Sequence, residues 1–228
     1  MMFEVALPGA RALFTTRQGG SSESPYDSRN LGLRTDDDEV VVRGNIRQLQ
    51  NELGLPTLQL LDQVHGSQIV NVTSATAGTV PIADGAITTE RRHAMLITGA
   101  DCPAVMLASE SRLAALHCGW RPVAANLIEK GAAAFAGERF EAVIGPGICQ
   151  EHFEVGPEVI QAMGEHGPAH AEGRQLDLVG IIETRLRIAG AERVHVVERC
   201  THCEPEFFFS HRRDNGATGR QAGIAWRI

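Results

Sequence analysis

The alternation of apolar and polar positions divides the chain into short strand-like runs and a few amphipathic helices. Residues 3–7 and 12–15 read as strands, and a glycine-rich loop, Gln18-Gly19-Gly20-Ser21-Ser22, follows them. Asp36, with Glu39 three residues on, has the form of a capping box that opens a helix. Val42, Ile46, Leu49 and Leu53 then recur at helical spacing, and Gly54 ends the run. Residues 58–61 and 69–72 look extended. The centre is the most apolar part, and 94–98, 105–108 and 113–116 read as buried strands. The pattern beyond them predicts a helix over 123–135, a strand over 142–144 and helices over 157–165 and 176–189. Gly190 closes the last of these. Strands over 194–197 and 222–226 complete the series. This mixed order predicts helices packed on a mixed sheet rather than regular βαβ units.

Composition narrows the possibilities. The 228 residues are 43% hydrophobic and 21% charged, ordinary values for a globular protein. With no repeat and no linker, the expectation is one domain over residues 1–228. No apolar run is long enough for a membrane span, and residues 1–7 lack the form of a secretory signal. A net charge of −7 argues against a broad nucleic-acid footprint, which needs a basic face. Five cysteines, an odd number, point to a reducing, cytoplasmic setting with thiols kept for metal or catalysis.

Three segments could carry chemistry: Gln63-Val64-His65-Gly66, Ala100-Asp101-Cys102-Pro103 and His117-Cys118-Gly119-Trp120-Arg121. Each sets a soft or borderline ligand at the end of an apolar run, beside a turn. His65, Cys102 and His117 form a sensible zinc set with a fourth position open. The same residues also suit a Cys-His hydrolase, with Cys102 as nucleophile and His117 as base. Cys200-Thr201-His202-Cys203 is a lone C-x-x-C, to be read as half a zinc site, a redox pair or free thiols. Arg17, Arg121, Arg212 and Arg213 offer guanidinium forks for an anion. Walker A, dinucleotide-binding, HExxH and G-x-S-x-G motifs are all missing from the sequence.

Taken in order, these segments resemble the YfiH-like family, also called the laccase-domain or multicopper polyphenol-oxidase family. The likeness runs from Thr15-Thr16-Arg17 and Asn30-Leu31-Gly32 through Gln63-Val64-His65-Gly66, Ala83-Asp84-Gly85 and Ala100-Asp101-Cys102. It continues through His117-x-Gly119-Trp120-Arg121, Gly145-Pro146 and Phe153-Glu154-Val155-Gly156 to Cys200-Thr201 and Phe208-Phe209-Ser210-His211-Arg212-Arg213-Asp214.

The resemblance implies an α/β (α+β) sandwich, a single domain with a mixed β-sheet flanked by helices. It implies zinc on His65, Cys102 and His117, and purine nucleoside phosphorylase activity on adenosine, inosine, guanosine or methylthioadenosine, with adenosine deamination. Purine nucleoside and phosphate would be the partners, neither nucleic acid nor membrane, and the oligomeric state stays open. Arg17, Asn30, Arg121 and Arg212 are assigned to substrate or phosphate, and Asp84, Asp101 and His211 to proton handling. Alternatives are a thiol hydrolase or amidase on a peptidoglycan precursor, a copper polyphenol oxidase and a non-enzymatic metal-binding module. Copper (Cu2+) fits the His2Cys set, but the nine histidines form no His-x-His pair of the kind a laccase's copper cluster needs, so zinc (Zn2+) is expected. Two departures from the family stand beside the site, Pro122 in place of the usual Gly and Cys118 in place of the usual Ala.

Overall fold

The computed structural model describes residues 2–228. Strands β1 (Met2–Leu7) and β2 (Ala10–Thr15) form an antiparallel hairpin with Leu7 opposite Ala10. Gly9 turns the chain at φ +60, and a Cβ there would lie 3.0 Å from the Glu110 carbonyl oxygen. Helix α1 (Glu39–Glu52) follows. The expected start at Asp36 moves by two residues, because Asp38 holds the extended conformation and accepts the Val40 N–H.

Six strands carry the apolar centre: β3 (Thr57–Gln59), β4 (Ile69–Asn71), β5 (Gly85–Thr88), β6 (His93–Gly99), β7 (Ala104–Ala108) and β8 (Leu113–His117). Helices α2 (Trp120–Ala124) and α3 (Leu127–Ala133) lead to β9 (Glu141–Ile144). The one helix expected over 123–135 is thus two, because Asn126 sits between them in the left-handed region at φ 63. Likewise, the helix expected over 157–165 is α4 (Pro157–Ala162) and α5 (His166–Ala169), separated at Gly164 with φ +64. The two-residue strands β10 (Ala171–Glu172) and β11 (Gln175–Leu176) pair before α6 (Leu178–Ile188). Strands β12 (Arg193–Val196) and β13 (Gln221–Arg227) follow.

Two mixed sheets result, with strand orders β1-β2-β13-β6-β3 and β12-β9-β7-β8-β5-β4. Side chains alternate across each strand and so assign the layers. Ala104, Met106 and Ala108 of β7 pack with Phe14, Met95, Ile97 and Ala225 of the first sheet, making the core between the sheets. Val105 and Leu107 point the other way and pack with Leu127, Ile128, Ile181 and Leu186 of the helices. On the far side, Leu13, Leu96 and Ile224 pack against Val42, Ile46 and Leu49 of α1. The order is helix, sheet, sheet, helix, an α/β sandwich in which both faces of each sheet are covered. Helix α3 lies close on β8: a Cβ on Gly131 would come within 2.7 Å of Leu116 Cδ1. Among the described residues, no helix is long and apolar enough to cross a membrane.

Candidate active site

The β-ladder sets the first part of the site. Strands β5 and β8 run antiparallel with Gly85 opposite Leu116, so the next pair out is Asp84 and His117. The His117 N–H bonds the Asp84 carbonyl at 2.8 Å, and His117 Nδ1 lies 2.8 Å from Asp84 Oδ1. Asp84 is fully buried, and its carboxylate also accepts the amide N–H groups of Val64, His65 and Gly66. Burial pushes the Asp84 carboxyl up, but the His117 hydrogen bond and the amides outweigh it and hold the group below the ordinary carboxylate range. Asp84 therefore fixes the His117 ring and pins the loop that carries His65.

That loop is also tied to the first sheet. Gln63 gives its Nε2 to the Thr98 carbonyl at 2.8 Å and accepts the Thr98 N–H at 2.8 Å. Cys102 lies on the short passage from β6 to β7, which steps from one sheet to the other. The ligand atoms of His65, Cys102 and His117 lie within 4.8 Å of one another, and the two imidazoles meet edge-on with centroids 4.7 Å apart. Gly119 is small for a reason: a Cβ there would sit 2.8 Å from Cys102 Sγ.

The donor set fits a zinc ion. With Nδ1 of His117 turned to Asp84, Nε2 is left for the cluster, an arrangement that raises ligand basicity. Burial opposes ionisation of Cys102, yet hydrogen bonds from His117 and His65 bring its thiol down to about 6. For His117, burial lowers the value, but Asp84 and the Cys102 sulfur raise it to about 9. The metal-free pair is therefore a thiolate facing an imidazolium near neutrality. Between these two values a metal that binds the pair must expel the His117 proton. Zinc affinity is expected to rise with pH, by about tenfold or more per unit, up to about pH 9 and to level off above it. Competition titrations across this range check the slope; a flat profile would contradict the paired state.

The three residues line a cleft of about 700 Å³, together with Trp120, Phe153, Asp101, Arg121, His211 and Arg212. Arg121 is exposed and stacks 4.3 Å over Trp120. Arg212 lies over Phe153 and gives one guanidinium N–H to the Glu154 carbonyl at 2.8 Å. Asp101, at φ 92, spends both oxygens, accepting the Thr201 hydroxyl at 2.7 Å and the Arg212 N–H at 2.7 Å. His211 is exposed in the cleft wall.

Two residues expected at the substrate lie elsewhere. Arg17 does not line the cleft, because its guanidinium is taken by Asp27 and the Pro205 carbonyl and covers Phe209. Asn30 is fully buried, and its amide holds Thr35, Asp37, Gly32 and Arg220 together. Arg213 also faces away, onto the Thr201, His202 and Phe208 carbonyls. In their place Arg34, paired with Asp62, and Arg220 line the cleft. Neither carries a local signal: Arg34 stands in an ordinary loop, and Arg220 is marked only by the strand after it.

The departures beside the site are accommodated. Cys118 is fully buried, which pushes its thiol far above the ordinary range and leaves it unreactive. Pro122 lies in the first turn of α2, where no intrahelical partner awaits its missing N–H.

Residues 11–228 match the family model described as multi-copper polyphenol oxidoreductase laccase. The protein named purine nucleoside phosphorylase YfiH in Escherichia coli (strain K12) is 34% identical, over 96% of this chain and 95% of its own. A purine nucleoside phosphorylase of Pseudomonas aeruginosa is 36% identical, over 95% and 93%. The crystal structure of a Neisseria meningitidis protein superposes with a TM-score of 0.90 at 31% identity, covering 99% of this chain and 98% of that one. The thiolate and imidazole cluster, the two-sheet sandwich and these full-length likenesses agree, and the chain belongs to the YfiH-like, laccase-domain family.

Proposed function

We propose that the chain is a zinc-dependent purine nucleoside phosphorylase that also deaminates adenosine. The observation that carries this reading is the His65, Cys102 and His117 cluster on a cleft whose walls combine arginines with aromatic rings. The names of the relatives, purine nucleoside phosphorylases, support the reaction class. A zinc ion held by His65, Cys102 and His117 would supply Lewis-acid polarisation there.

The chain's own groups do the rest. Arg121 and Arg212 hold the phosphate, with Arg34 and Arg220 adding positive potential along the wall. Trp120 and Phe153 offer faces to the purine. A phosphate oxygen attacks the anomeric carbon, the carbon–nitrogen bond breaks, and its electrons leave with the base. His211 gives the departing purine its proton, since both Asp101 oxygens are already engaged. Asp101 instead positions the Arg212 backbone, and Asp84 positions His117.

Zinc-loaded protein incubated with adenosine and phosphate should form adenine and ribose-1-phosphate in equal amounts. Chelation should stop the reaction and zinc should restore it. Absence of phosphate-dependent product from the loaded protein would overturn the reading. Asp84, His117 and the acidic Cys102 thiol also have the form of a hydrolase triad. Activity that survives chelation and is blocked by alkylation would select that second reading.

A further inference from the structure

Beyond the cleft, a second group of soft ligands gathers where the loop after β9 meets the loop after β12. Gly147 and Cys200 form a parallel bridge there, with the Thr201 N–H on the Gly147 carbonyl at 3.0 Å. The Sγ atoms of Cys149, Cys200 and Cys203 lie within 4.8 Å of one another. Cys149 Sγ is 3.1 Å from Cys200 Sγ and 3.8 Å from Cys203 Sγ. A tetrahedral zinc with Zn–S near 2.3 Å sets its sulfurs about 3.8 Å apart, which Cys149 and Cys203 already match and to which the Cys149–Cys200 pair would open from 3.1 Å. The C-x-x-C of the sequence is thus completed by a third cysteine from a distant segment.

Two further features point to a metal rather than to thiols that merely meet. Cys200 Sγ accepts backbone N–H groups from Cys149 at 3.3 Å and from Cys203 at 3.4 Å. Amide donors of this kind orient a ligating thiolate and offset its charge. Imidazole is also at hand. His152 and His202 stack with centroids 3.9 Å apart on the Cys203 side, each with a ring nitrogen within 4.8 Å of Cys203 Sγ but not of the other two sulfurs, so one ring would turn inward to complete the site. A Cys149–Cys200 disulfide would leave the third thiol and both rings without a task.

We propose that Cys149, Cys200 and Cys203, with one imidazole of the His152 and His202 pair, form a closed four-ligand zinc site that is structural and separate from the cleft. Thiol protons leave to solvent as the metal binds, and no redox step is involved. The site clasps the 200–203 loop against the loop after β9. Thr201 of that loop donates to Asp101, the neighbour of Cys102, and Arg213 braces the Thr201 and His202 carbonyls. The second metal thus holds one wall of the cleft in place without touching substrate.

Zinc content and zinc K-edge absorption, measured on wild-type protein purified under reducing conditions, test this directly. Two zinc ions per chain averaging about two sulfur ligands each are expected, three at the structural site and one in the cleft. In a Cys102→Ala chain about one zinc should remain, in a sulfur-rich shell, whether or not the phosphorylase reading holds. Adding the exposed Cys203→Ser to that chain should remove it, while far-UV circular dichroism reports whether the fold persists. A wild-type protein without sulfur-rich zinc overturns the proposal. So does a Cys149–Cys200 disulfide found by mass spectrometry, or a folded Cys203→Ser chain that keeps the same zinc shell.

Discussion

Replacing Cys102 with alanine is expected to strip zinc from the cleft and to lower kcat/KM for nucleoside phosphorolysis by about a thousandfold or more, some 4 kcal/mol of transition-state stabilisation. The loss should be large because Cys102 is the sole anionic donor of the cluster; His65 and His117 alone make a weak, neutral pair. Folding should survive. The side chain is only half-buried and sits on a connecting passage rather than in a sheet, so the exchange opens little new cavity. Zinc content and steady-state kinetics, measured together on the folded variant, check the prediction. A variant that keeps near-normal phosphorolysis would remove Cys102 from the machinery.

The second large effect concerns Asp84. Asp84→Ala should destabilise the chain by about 3–5 kcal/mol, because a buried acceptor of three amides and one imidazole disappears. Asp84→Asn keeps the volume and should cost less stability, yet still weaken zinc binding by about 10- to 100-fold through loss of the charge behind His117. The pH dependence distinguishes the two roles. The folded-state carboxyl of Asp84 is depressed. Its contribution to stability is thus complete above the unfolded-state value of about 3.9 and fades as pH falls toward the folded value. Asp84→Asn should remove this part of the acid-unfolding limb. Chemical denaturation at a series of pH values measures it; an unchanged acid limb would mean that Asp84 is not the charged anchor described here.

The sequence shows some of this architecture and hides the rest for physical reasons. The runs over 94–98, 105–108 and 113–116 could be read as strands because both their faces are buried, which makes them apolar throughout. Periodicity says nothing of which sheet a strand joins, so the division into two sheets could not be read. Strand β5 was silent because Gly85-Ala86-Ile87-Thr88 is short and opens on glycine. The helix over 123–135 looked continuous because nothing local marks Asn126 as left-handed. At the site, the ordered motifs drew attention to His65, Cys102 and His117. The anchoring role of Asp84 depends on β5 pairing with β8, a contact between segments far apart in the chain. Arg17 stood out beside its glycine loop, but Asp27, on the same excursion of chain, captures it. The C-x-x-C looked incomplete because its third cysteine arrives from across a parallel bridge.

The cleft ligands reach one another only through the loop after β3, the passage between the sheets and the last residue of β8. An unfolded chain holds no two of them close together, so it has little hold on the metal. On the proposed zinc binding, capture of the metal by the cleft would follow assembly of both sheets rather than guide it. The binding free energy falls on the native state alone. An empty cleft would therefore leave the rate of folding unchanged and shorten the survival of the finished protein.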